Sequence, residues 1–162
     1  MSMSGILTHT QTIDEKAKAR LEELAPTLQA IKWIDRNIGA FEAYIERVVE
    51  ILHSRISTFA WVGYYWVQPS GLVLIASRGV KENEQKLVGI RKGAIGRAAA
   101  LGEAVSDKGR GIFQSEISVP VERGGVVTAV IAVKSEHPMA FGHEHVMFLE
   151  RVASEVAARW LV

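Results

Sequence analysis

The chain has 162 residues, 48% of them apolar and 23% charged, with a formal net charge of +1, the balance of one globular domain with a sizeable core. Its 19 basic residues are scattered among 18 acidic ones, and no Lys/Arg run marks a phosphate-binding face, so neither nucleic acid nor a membrane surface is an expected partner. There is no cysteine, which excludes disulfides, thiolate metal sites, thiol nucleophiles and cysteine redox chemistry.

Residues 1–11 read as a loose tail without the features of a signal peptide. No apolar run approaches the ~20 residues of a bilayer span, and a cytoplasmic protein is expected. Residues 12–162 read as a single domain. Thr12 and Glu15 have capping-box spacing. Leu21, Leu24, Ala25, Leu28 and Ile31 then recur at helical spacing, with a kink or break expected at Pro26. Phe41, Tyr44, Ile45, Val48 and Leu52 form the apolar stripe of a second helix.

Strand texture follows. Phe59–Val67 and Leu72–Ala76 flank the turn residues Q-P-S-G and form a hairpin. Residues 79–92 are polar and irregular, and a short helical stretch covers Arg97–Leu101. Ala104–Ser106 is a short strand, and a second hairpin joins Ile117–Val121, ending at Pro120–Glu122, to Val126–Val133 through Gly124-Gly125. Phe148, Leu149, Val152, Val156 and Trp160 give a C-terminal helix. This order predicts an α+β domain. A central antiparallel sheet of about five or six strands carries the terminal helices on one face. A loop and short helix cover the other, where a ligand pocket is expected.

The strand F-A-W-V-G-Y-Y-W is apolar on both faces, so it is central. Alternation places Phe59, Trp61, Gly63 and Tyr65 on one side, with a glycine notch between two large rings. Two readings follow from the residues: core packing around a glycine that admits close approach, or the wall of a ligand pocket.

The layout resembles the GAF domain, and residues 40–158 resemble the free methionine-(R)-sulfoxide reductases, which are stand-alone GAF proteins. W-V-G-Y-Y at 61–65 resembles that family's W-x-G-F-Y, and L-V-L at 72–74 its following strand. K-G-A-I-G at 92–96 resembles K-G-V-C-G, and S-E-I-S-V-P at 115–120 resembles S-E-I-V-V-P. A-V-I-A-V-K-S at 129–135 stands where the family has G-V-L-D-I-D-S. The resemblance implies a GAF fold, with Trp61, Tyr65 and Glu116 lining a substrate pocket.

The departures redirect the function. The family's reductase chemistry needs a thiolate to attack the sulfoxide sulfur and a thiol to resolve the product. One family cysteine corresponds to Ile95, another falls near Gln85, and the loop of the third is shortened, so no methionine sulfoxide reductase activity is expected. The two aspartates become Ala132 and Lys134 on one strand face, which suits a carboxylate or small oxyanion better than an ammonium group. The competing reading is that Lys134 only neutralises Glu116.

The expectation is therefore a non-enzymatic small-molecule sensor or receptor for a small anionic metabolite. A homodimer and a signalling protein partner are also expected. The alternatives are a structural dimerisation module with an occluded pocket, or a divergent reductase-like enzyme. The ligand residues are Trp61, Tyr65, Ile95, Glu116, Lys134 and Arg91. Arg91, Lys92 and Arg97 surround the G-A-I-G turn, with Ser77 and Arg78 as weaker rim candidates. No cofactor is implied. No metal site is expected, because His143 and His145 point to different sides of a helix and lack the H-E-x-x-H spacing; the segment reads as a solvated first turn with Glu144 favoured by the helix dipole.

Overall fold

The computed structural model describes residue 18 and residues 20–160. The Thr12–Glu15 capping box, the boundary of the tail and the last two residues lie outside them. Leu24, Thr27 and Ile31 are the buried positions of the first helix, α1 (residues 20–32). Thr27 hides its hydroxyl by donating to the Glu23 carbonyl at 2.8 Å. The helix runs unbroken through Pro26. Pro26 and Glu22 are both exposed, so the carbonyl that loses its donor lies on the side where water replaces it. The second helix, α2 (Phe41–Arg55), buries Tyr44, Ile45, Val48, Val49, Ile51 and Leu52.

The strands are β1 (Trp61–Gln68), β2 (Gly71–Gly79), β3 (Leu87–Val88), β4 (Val105–Asp107), β5 (Ser115–Arg123) and β6 (Val126–Ser135). They form one six-stranded sheet in the order β3-β2-β1-β6-β5-β4, and every pairing is antiparallel. Gly124 and Gly125 have φ of +60° and +78°, the conformation of a two-residue turn whose twist matches its strands. β3 lies within the stretch expected to be irregular, as a two-residue edge strand too short to leave a periodic signal. β5 continues past Pro120, because its pairing with β4 ends at Ser118 and no ladder bond to β4 is asked of the proline nitrogen.

The third helix, α3 (Gly93–Leu101), starts four residues before the expected Arg97. The segment from β3 to β4 joins the two edges of the sheet, and α3 lies on the face opposite the other helices. α2 and α4 (His143–Trp160) pack on the first face with α1. Two apolar clusters result, one under α1, α2 and α4 and a smaller one under α3. The observed architecture is the expected α+β fold. Phe59 is a correction: it belongs to the larger cluster, against Phe141 and His145. β1 begins at Trp61, so strand alternation does not extend back to Phe59. No described helix is long and apolar enough to cross a membrane.

Candidate functional site

Strand register aligns one row of side chains across four strands. Trp61 pairs with Lys134, Lys134 with Glu116, and Glu116 with Asp107. Residues opposite one another in a sheet share a face, so the row presents an aromatic ring, a cation and two carboxylates to the α3 side. Two residues along each strand, the next row is small: Gly63, Ala132 and Ser118. Beyond it stands Tyr65, paired with Val130.

Gly63 has a specific task in this groove. A Cβ there would lie 2.7 Å from Cζ2 of the Trp61 indole, and closer still to its Cη2. The glycine lets Trp61 fold its own ring over the small row. Trp61 and Tyr65 are each 1% exposed and pack with Ile95 and Ala98 of α3, Phe113, Val130 and Ala132. The notch expected between Trp61 and Tyr65 is therefore filled by the Trp61 ring itself.

Both aromatics are tied to the segment between β2 and β3. The Trp61 indole N–H donates to Glu84 Oε2 at 2.9 Å, and the Tyr65 hydroxyl donates to the Gln85 carbonyl at 2.7 Å. Ser77 also donates to Glu84 Oε2, at 2.7 Å, and Lys86 reaches Oε1 at 2.7 Å. Burial raises the affinity of the Glu84 carboxyl for its proton, but hydrogen bonds from Lys86, Trp61 and Ser77 and the charge of Lys81 outweigh it, holding the pKa down at about 2. Sequence reasoning missed Glu84. It sits in the polar run K-E-N-E-Q-K without periodicity, and its partners Ser77 and Trp61 are 7 and 23 residues away.

Lys134 Nζ lies 4.8 Å from the centre of the Trp61 ring and 5.6 Å from that of Phe113. No hydrogen bond or ion pair connects it to another described residue. Burial pushes its pKa down, opposed by the charges of Glu116 and Glu84. Burial raises the pKa of Glu116, against the pull of Lys134 and with a further push from Asp107. Glu116 and Lys134 thus feel each other electrostatically without forming an ion pair. Phe113 has no counterpart among the expected residues; only the fold carries its loop onto Lys134.

The open space is on the carboxylate half of the row. A cleft of about 650 Å³ is lined by Asp107, Lys108, Phe113, Glu116, Pro138 and Phe141, among others. Trp61, Tyr65, Ile95 and Lys134 do not line it; Lys134 borders it through its neighbours Phe113 and Glu116. Arg91 stays outside this group: its side chain is exposed, and its backbone at φ +74° donates to the Gly96 carbonyl at 3.0 Å. Arg97 pairs with Asp107, Ser77 holds Glu84, and Arg78 reaches Glu46 at 2.9 Å on the other side of the sheet. The first turn of α4 differs from the solvated one expected. Glu144 pairs with Arg20 at 2.7 Å, and His145, 2% exposed, accepts the Gly142 N–H at 3.0 Å. No group of three metal-ligating side chains occurs among the described residues.

The fold is shared with proteins of known structure. It is similar to a free methionine-(R)-sulfoxide reductase from Neisseria meningitidis solved with its substrate, at 23% identity and TM-score 0.75 over 90% of each chain. It is similar to a type II enzyme of that kind from Thermoplasma acidophilum, at 22% identity and TM-score 0.69 over 74% of this chain and 91% of the other. A GAF domain from an Acinetobacter phosphoenolpyruvate-protein phosphotransferase is similar at 17% identity and TM-score 0.69, over 87% and 92%. No protein-family model and no curated protein sequence matches the chain. The chain has the GAF fold.

Proposed function

We propose that this protein is a non-enzymatic small-molecule receptor of the GAF fold whose ligand is a small anion held by Lys134. One observation carries the reading: a half-buried ammonium is braced between the Trp61 and Phe113 rings, with no described hydrogen-bond or ion-pair partner, beside a 650 Å³ cleft. Aromatic faces stabilise a cation without consuming its N–H donors, so those donors serve a ligand oxygen. Glu116, on the neighbouring strand, faces the cleft and would receive any cationic end of the same molecule. With no cysteine, the chain cannot perform thiol attack on a sulfoxide.

A thermal-shift screen against carboxylates, oxyanions and amino acids tests the proposal. A ligand at 100 times its Kd stabilises by about 2.7 kcal/mol. Lys134→Ala is expected to weaken an anionic hit by about one to two decades, the worth of a charge-assisted hydrogen bond of roughly 1.5–3 kcal/mol. Hits indifferent to Lys134→Ala refute the anion assignment.

The filled notch supports a second reading, a dimerisation module with an occluded pocket. A flat screen with a dimeric protein favours it. We also propose that the protein is a homodimer and passes ligand occupancy to a signalling partner; Trp33 is 76% and Leu21 57% exposed on and beside α1, as an interface there requires.

A further inference from the structure

The contacts of Glu84 point to a carboxylate-binding subsite that the chain fills with its own side chain. We infer that Trp61 Nε1, Ser77 Oγ and Lys81 form a receptor for a ligand carboxylate, and that the ligand enters by displacing Glu84. The inference rests on the small-anion reading and extends it to a second, separable point of contact.

The donors are built as a site. The Trp61 indole is buried, offers one directional N–H and puts it 2.9 Å from Oε2. The buried Ser77 hydroxyl reaches the same oxygen at 2.7 Å, and its own oxygen accepts from Lys81 Nζ at 2.9 Å. Lys81 itself lies 3.5 Å from Oε2. Two neutral donors on one oxygen, backed by an ammonium, form a pattern selective for a carboxylate over an amide. Trp61 and Ser77 belong to the paired strands β1 and β2, so these donors are rigid. The carboxylate comes from the connecting segment and is only 5% exposed. Val80, Lys81, Asn83, Gln85 and Lys86 around it are exposed.

That segment is fixed at its ends by backbone hydrogen bonds, Val80 N–H to the Ala60 carbonyl at 3.1 Å and Leu74 N–H to the Lys86 carbonyl at 2.9 Å, and between them mainly by polar contacts: Glu84 to Trp61 and Ser77, the Gln85 carbonyl to Tyr65, and Glu82 to the Ile112 N–H at 3.4 Å. A segment held by few buried apolar contacts opens at low cost. Lys134 Nζ lies over the Trp61 ring, 4.8 Å from its centre, and feels the Glu84 charge. A small carboxylate replacing Glu84 would keep that charge in place and release the segment.

The test follows the Trp61 indole N–H by nuclear magnetic resonance, assigned through its loss in Trp61→Phe. Sodium acetate is titrated at constant ionic strength into wild type, Glu84→Gln and Glu84→Ala, with acetamide as the neutral control. Acetate, not acetamide, is expected to shift the indole resonance in all three. Removing the competing side chain is expected to tighten acetate by about tenfold or more in Glu84→Ala, since an internal competitor lowers apparent affinity by the fraction of protein it occupies. If Glu84→Ala does not fold, Glu84→Gln, which keeps the shape and loses the charge, is expected to show the same direction. An unchanged Kd in the Glu84 variants, or an indole that ignores acetate, overturns the inference. Lys134→Ala separates the two proposals. If the indole shift and the Glu84 effect persist there at wild-type affinity, the subsite stands and the Lys134 reading fails. If acetate binds through Lys134 with no Glu84 effect, the subsite alone fails.

Discussion

Replacing Gly63 by alanine adds one methyl group to β1, and the structure assigns that methyl to space held by the Trp61 indole. The new Cβ would stand 2.7 Å and 3.1 Å from Cζ2 and Cζ3 of the ring, well inside van der Waals contact. The ring is 1% exposed and bounded by Ile95, Phe113 and Ala132, so it cannot step aside freely. Overpacking of this kind costs about 1–3 kcal/mol. If the indole turns, it also loses the hydrogen bond to the Glu84 carboxylate, worth roughly 1.5–3 kcal/mol. Loss of glycine's freedom in the unfolded chain returns only about 0.4–1 kcal/mol. With the hydrogen bond lost, the expected net loss is about 2–5 kcal/mol. For a chain of this size, each kcal/mol shifts Tm by about 2–4 °C, so Tm falls by roughly 4–20 °C. Urea and thermal unfolding measure this directly. In a Trp61→Phe background, where the six-membered indole ring is absent, Gly63→Ala is expected to be close to neutral, and the double-mutant cycle isolates the coupling. An unchanged Tm in the wild-type background, or an equal loss in both, would refute the proposed role of Gly63.

Stability should also fall with acid through His145. Burial pushes its pKa below 6.5, despite the opposing charge of Glu144, with Arg20 lowering it and Glu23 raising it. The unfolded chain therefore takes up this proton first, so the contribution is whole above pH about 6.5 and is lost as pH falls below it; His145→Gln is expected to flatten the Tm profile between about pH 7.5 and 5. Light scattering at tens of micromolar is expected to give twice the chain mass of 17.8 kDa, and Trp33→Asp to give the single-chain mass; a monomeric wild type would remove the proposed dimer. Incubation with free methionine-(R)-sulfoxide and a thiol reductant is expected to give no turnover above the protein-free control, and turnover would overturn the non-enzymatic reading.

Strand identity was legible because alternation is a property of consecutive residues. Trp61, Gly63 and Tyr65 had to share a face, as did Ala132 and Lys134, and Gly124-Gly125 had to mark a hairpin. The collinear motifs and the insertion between hairpins led to the fold, and the departures at Ile95 and Lys134 were visible without coordinates. Chain-local periodicity does not contain register between distant strands. Only the folded sheet sets Trp61 beside Lys134, Lys134 beside Glu116 and Glu116 beside Asp107, through pairings that join segments up to 73 residues apart. Phe113 and Glu84 come from irregular segments whose residue types alone do not reveal where their side chains lie. Phe59 shows the same limit in reverse: alternation held only from Trp61 onward, where ladder hydrogen bonds impose it. Local sequence determined what each element is, and the long-range pairing and loop placement decided which charges and rings meet.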